Sequence, residues 1–182
     1  MTTLRFPVTS EDHIQGAEDA QATLLEYGDY ECPDCGYAHP IVKRLQRHFG
    51  KKLRVVFRNF PLSEIHPNAE TAAETAEFAG AHGKFWEMHD LLLQNQDRLG
   101  GPLYVALARR LSLVPDALLQ ALEAQEFGER VRADLKGGVR SGVRGTPTFF
   151  VNGLRHDGPY DLEHLALAIE EAVGAAESAK KW

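Results

Sequence analysis

Residues 22–35 read Ala-Thr-Leu-Leu-Glu-Tyr-Gly-Asp-Tyr-Glu-Cys-Pro-Asp-Cys. Ala22 to Tyr27 is a short apolar run containing one carboxylate, which suits a buried central strand ending at Gly28. Beyond the two cysteines, Ala38, Ile41, Val42, Leu45 and Phe49 recur with helical spacing, and Gly50 stands where a left-handed residue would stop a helix. Leu53 to Phe57 reads as a second strand. Strand, helix and strand make a βαβ unit, so the two strands are expected to be parallel neighbours.

Downstream the pattern becomes helix after helix. Pro67 to Ala81 is rich in Ala and Glu, Lys84 to Gln94 follows Gly83, and Pro102 to Leu111 and Pro115 to Ala124 each carry proline at a helix start. Phe127, Val131 and Leu135 form a further apolar stripe. Strand character returns at Thr148 to Val151 and Leu154 to His156, which flank the hairpin signal Asn152-Gly153; Leu162, Leu165, Ala166, Ile169 and Val173 then mark a closing amphipathic helix. The fold class is α/β, with residues 1–65 and 143–182 forming one domain around an inserted helical subdomain, residues 66–142.

With 182 residues and no Pro/Ser-rich linker, the chain has room for one sizeable core. Its net charge is −6 and its Lys and Arg are scattered, so nucleic acid is not an expected partner. No apolar run is long enough to span a bilayer, and residues 1–16 lack a signal-like apolar stretch. No membrane partner is expected, and the expected compartment is the cytosol, a trimmed exported form being the alternative.

The two cysteines, Cys32 and Cys35, lie too close together to staple distant parts of the chain. Pro33 reads as the first residue of the helix and Cys32 as its N-cap. The N–H groups of Asp34 and Cys35 then have no intrahelical acceptor and favour a thiolate on Cys32, as does the helix dipole. A stabilised thiolate is a nucleophile at neutral pH, and Cys35, one turn deeper, is placed to resolve a mixed disulfide. A structural zinc site would need four ligands, and there is no second cysteine pair; His39 and His48, on the same helix, show no ligand pattern. No metal and no cofactor are expected.

The segment from Glu26 to Pro40, taken with Gly145-Thr-Pro-Thr-Phe-Phe-Val-Asn-Gly153, resembles the DsbA-like branch of the thioredoxin superfamily. Phe60-Pro-Leu-Ser-Glu-Ile-His-Pro67 and Lys84-Phe-Trp-Glu-Met-His89 extend the likeness over nearly the whole chain. The resemblance implies a thioredoxin-like fold with a helical insertion between its βαβ and ββα halves. It also implies thiol–disulfide exchange with protein or small-molecule disulfides and with an unidentified redox partner. Thr146-Pro147, just before an edge-like strand, would be a cis-proline loop that binds substrate beside Pro33 and Asp34. Glu26 would be the buried acid that accepts a proton from Cys35, a reading its apolar neighbours Leu24, Leu25 and Tyr27 support.

Asp34 departs from the His that strongly oxidising members carry. With Asp29 and Glu31 nearby, it is expected to oppose the thiolate and give a moderate potential. Tyr30 and Tyr37 are candidates for a shallow substrate groove, and Pro40 for a helix kink. Phe85, Trp86, Met88 and Leu92 read as core, with His66 and His89 hydrogen-bonded or at the surface. Two other functions fit parts of this pattern: a kappa-type glutathione transferase or isomerase, which Cys35 argues against, and a non-catalytic holdase.

Overall fold

The computed structural model describes residues 2–179. Its five-stranded sheet comprises β1 (His13–Gln15), β2 (Ala22–Gly28), β3 (Leu53–Asn59), β4 (Thr148–Val151) and β5 (Leu154–Arg155), in the order β1-β3-β2-β4-β5. The predicted βαβ unit is present: β2 and β3 pair in parallel, Ala22 opposite Leu53 through Gly28 opposite Asn59, with α1 (Pro33–Phe49) between them in sequence. β4 pairs antiparallel with β2, and β5 with β4 through a turn at Asn152 and Gly153, both at positive φ. Asn-Gly suits that turn because neither residue there adopts the ordinary φ.

Strand periodicity explains both faces of the sheet. Leu24 packs with Leu45 of α1, Val55, Phe149 and Val151, and with Leu165 and Ile169 of α7 (Leu162–Ala179). Leu25 and Tyr27 point the other way, toward Val56, Phe60, Val143 and Phe150. Because side chains alternate along a strand, Glu26 shares the face of Leu24, under α1. Register sets it between Phe57 and Phe149 on the adjoining strands.

The connection from β3 to β4 holds α2 (Ala69–Ala81), α3 (Phe85–Leu93), α4 (Gly101–Arg110), α5 (Pro115–Glu123) and α6 (Gly128–Arg140). Their apolar faces form one cluster that includes Met88, Leu92, Leu107, Leu118 and Val131, and also Tyr30, Cys32, Cys35 and Phe57. The insert therefore packs directly on the cysteine motif. Phe85, Met88 and Leu92 are core residues there, with Trp86 partly buried against them.

Four differences from the sequence reading have local causes. β1 was not foreseen, because three residues carry no periodicity. β4 is an inner strand, not the edge-like one expected, since β5 covers it from Phe150 onward. Gly50 has φ 52° but ψ −125°, outside the left-handed well, and opens a short 3-10 turn through Lys52. Two helices end at left-handed residues that are not glycine, Ser112 and Gln125, and the closing bonds Leu113 N–H to Ala108 O and Glu126 N–H to Ala121 O finish them.

Gly138 in α6 gives a direct test of packing against propensity. Alanine in a helix is favoured over glycine by about 1 kcal/mol. Here, however, a Cβ would lie 2.6 Å from the Phe60 ring and 3.0 Å from that of Tyr27. Gly138→Ala is expected to lose about 1–3 kcal/mol by overpacking, measured by urea denaturation of the reduced chain, whereas a gain would mean the contact relaxes freely.

Candidate active site

Cys32 and Cys35 sit where the chain leaves the C-terminal end of β2 and enters α1. The intervening loop is held by its own acids. Asp29, 1% exposed, accepts hydrogen bonds from the Glu31 N–H (2.8 Å) and the Leu62 N–H (2.8 Å), and pairs with His66 Nδ1 at 2.8 Å. Glu31 accepts from the Asn68 main-chain N–H at 2.6 Å and from its side-chain amide at 2.9 Å. From the insert, Gln96 donates its amide to the carbonyls of Tyr30 (2.9 Å) and Cys32 (2.8 Å). Apart from the Glu31 N–H bond, each of these ties crosses from the motif to the connection after β3.

Cys32 occupies the N-cap, with extended dihedrals of −70° and 121°, and Pro33 is the first helical residue. The Cys32 thiol is pulled down from 9.0 to about 5. The largest cause is a hydrogen bond from the Cys35 thiol. Burial opposes it, and the Thr146 side chain and the N–H groups of Cys35 and Asp34 add to the lowering. Cys35 is fully buried and pushed far upward by burial, then by its bond to Cys32 and by the charge of Glu26. The Asp29 N–H points at Cys35 Sγ from 3.4 Å. One sulfur is thus prepared as a thiolate and the other as a thiol.

Glu26 is 4% exposed, and its Oε1 has no hydrogen-bond partner. Burial, and secondarily the Cys32 charge, raise its pKa from 4.5 to about 8. Opposite the cysteines, the Thr146–Pro147 peptide bond is cis, and the Thr146 carbonyl lies 3.3 Å from Cys32 Sγ as acceptor of the thiol proton. The buried Thr146 hydroxyl has no other partner and is available to the thiolate. Beyond the proline opens a cleft of about 390 Å³ lined by Arg144, Arg155, His156 and Tyr160.

The expected opposition of three acids to the thiolate is not what the structure contains. The carboxylates of Asp29 and Glu31 are spent on main-chain donors elsewhere, and Asp34 is exposed and faces Tyr160. Asp34 acts on Cys32 through its N–H, which stabilises the thiolate. Tyr30 is likewise no groove residue: it is 1% exposed, with its hydroxyl 3.1 Å from His89 Nδ1. Tyr37 is 62% exposed and sits edge-on to Tyr160. Pro33 is exposed beside Cys32, and Pro40 lies inside an uninterrupted α1. The roles of Gln96 and Asn68 were not foreseen, since bonds spanning 64 and 37 residues leave no local signal.

A family model described as thioredoxin matches residues 8–171. Among curated proteins, the Na(+)/H(+) antiporter NhaA 1 of Salinispora arenicola is 45% identical over 170 residues, 93% of this chain and 26% of that protein. The Na(+)/H(+) antiporter NhaA 3 of Salinispora tropica is 44% identical over 174 residues, 95% and 26% of the respective chains. The chain therefore spans about a quarter of the length of the curated relatives it matches. Oxidised BdbD from Bacillus subtilis superposes with a TM-score of 0.86 at 23% identity, over 95% of this chain and 98% of that one. Wolbachia pipientis alpha-DsbA1 superposes at 0.83 with 19% identity, over 97% of each. These likenesses are of fold.

Two titrations check the site. Alkylation of the reduced chain by iodoacetamide is expected at Cys32 alone, with a rate that rises through a midpoint near 5, read by mass spectrometry. A midpoint near 8–9, as for a free thiol, would contradict the geometry. Between 4.5 and about 8 the folded chain holds the Glu26 proton more tightly than the unfolded one, so this residue costs stability increasingly as pH rises through that window. Glu26→Gln removes the cost. Its gain over the parent, from urea melts of the reduced chains, is expected to be near zero at pH 4.5 and to reach a few kcal/mol at pH 8, because each tenfold difference in proton affinity is worth about 1.4 kcal/mol.

Proposed function

The chain belongs to the thioredoxin family, and from that premise we propose that it is a DsbA-like thiol–disulfide oxidoreductase exchanging its Cys32–Cys35 pair with protein or small-molecule disulfides. The observation that carries the proposal is the unequal preparation of the two sulfurs, Cys32 lowered to about 5 and Cys35, beneath it, raised.

The Cys32 thiolate attacks one sulfur of a substrate disulfide, forming a mixed disulfide and expelling the other sulfur as a thiolate. The negative charge on Cys32 is then gone, and with it one of the two influences that hold the Glu26 proton. Glu26 ionises more readily and takes the proton of Cys35, directly or through water. The Cys35 sulfur attacks Cys32 Sγ, closing the Cys32–Cys35 bond and releasing the second substrate thiol. Two electrons pass from the protein dithiol to the substrate disulfide, and the reverse sequence oxidises a substrate dithiol. The main chain at Thr146, beside Cys32, supplies hydrogen-bonding groups for an extended substrate segment.

The poise follows from the thiolate. Thioredoxin, with a nucleophile pKa of about 7, has a potential near −270 mV, and DsbA, with about 3.5, one near −120 mV. A Cys32 value of about 5 argues for a potential between them. We place this exchange in the cytosol. There a pair poised below the glutathione range of roughly −220 to −260 mV rests oxidised and one above it rests reduced, and a reduced pair favours reductase or isomerase work.

Titration of the Cys32–Cys35 pair against glutathione is expected to give a potential between about −270 and −120 mV. Insulin reduction is expected to vanish in Cys32→Ser, and Cys35→Ala to accumulate mixed disulfides that dithiothreitol releases. Undetectable exchange by the parent chain, or a Cys32→Ser variant as active as the parent, would overturn the proposal.

A further inference from the structure

Away from the cysteines, a second set of side chains meets between α1 and α3. His39 and Lys43 come from α1, His89 and Asp90 from α3. The two imidazoles are 8% and 5% exposed, and Asp90 27%. Asp90 Oδ2 pairs with Lys43 Nζ at 2.8 Å. Its Oδ1 is buried, has no hydrogen-bond partner, and lies 3.6 Å from His39 Nε2. One ligand atom from each of His39, His89 and Asp90 falls within 4.8 Å of the other two.

We propose that His39, His89 and the open Oδ1 of Asp90 form a zinc site bridging α1 and α3. Two imidazoles and one carboxylate are the donor set of open zinc sites, in which a fourth position is left to water. Zinc bonds of about 2.0–2.1 Å in tetrahedral geometry set donor atoms roughly 3.3 Å apart. The His39–Asp90 separation of 3.6 Å is already close to that, and the widest separation, within 4.8 Å, closes by small side-chain rotations.

Neighbouring groups complete the arrangement. His89 Nδ1 is engaged by the Tyr30 hydroxyl at 3.1 Å, an outer partner of the kind metal-binding histidines use to fix the ring and its tautomer. Lys43 is the opposing feature. It holds the other carboxylate oxygen, and its charge lowers affinity for a dication without occupying the ligand position. Sequence spacing could not reveal the set, because its two histidines are 50 residues apart and on different helices. Tyr30, two residues before Cys32, joins the site to the redox loop.

The test uses the full chain in its disulfide form, because a reduced Cys32–Cys35 pair would itself take up zinc. Zinc chloride is titrated in competition with a chromophoric chelator. Expected are one zinc per chain, at least tenfold weaker binding in Asp90→Asn and His39→Ala, and at least threefold tighter binding in Lys43→Met. X-ray absorption of the loaded chain is expected to show a nitrogen and oxygen shell without sulfur. Asp90→Asn keeps the shape of a partly exposed residue, and its melting temperature in EDTA, unchanged from the parent, separates lost ligation from lost folding. Absence of stoichiometric binding in the parent chain would overturn the proposal. So would affinity unmoved by Asp90→Asn in a folded variant, or sulfur in the metal shell.

Discussion

The structure depends on one electrostatic arrangement: the unpaired N–H groups at the start of α1 face the sulfur of Cys32 while Cys35 and Glu26 lie in the dry interior behind it. The first feature stabilises a negative charge, and the second penalises any other ionisation nearby. The three groups form a graded set, with Cys32 at about 5, Glu26 at about 8 and Cys35 far above. The low value belongs to the sulfur at the start of α1, beside Thr146. Had Glu26 been exposed, its ordinary pKa would have left a permanent charge beneath the thiolate.

Keeping this arrangement requires a rigid loop, and the rigidity comes largely from outside the βαβ unit. Asp29 and Glu31 would be liabilities next to a thiolate if they were free. As acceptors for Leu62, His66 and Asn68 they become fastenings, and their charge is taken up by donors on the far side of the loop. Gln96 adds a second hold on the carbonyls of Tyr30 and Cys32. The helical insert thus acts on the chemistry as well as on stability, since its apolar cluster is the one that contains both cysteines.

Much of the fold was legible in local pattern. The parallel pair, helix α1, the five insert helices, the Asn-Gly hairpin and the closing helix all follow from periodicity and from proline or glycine at element ends, because these constraints act within a few residues. β1 escaped because three residues in a strand need a partner to declare themselves. The helix ends at Ser112 and Gln125 escaped because their left-handed residues are not glycine, the residue type that signals such an end. Of the site, Cys32, Cys35 and the burial of Glu26 were readable. The charge balance was not: where the carboxylates of Asp29 and Glu31 point is decided by Leu62, His66 and Asn68, more than thirty residues further along the chain.

The sequence by itself determined which sulfur begins the helix, which lies a turn deeper, and which strand face carries Glu26, since proline at a first helical position and period-two alternation are local and steric. Only the tertiary structure decided where the acids of the loop point, that Thr146 meets Cys32 across 114 residues, and that His39 faces His89 and Asp90. Those outcomes depend on direction and distance between elements far apart in the chain. Coulombic and hydrogen-bond energies are set by those distances, and residue types in order do not encode them.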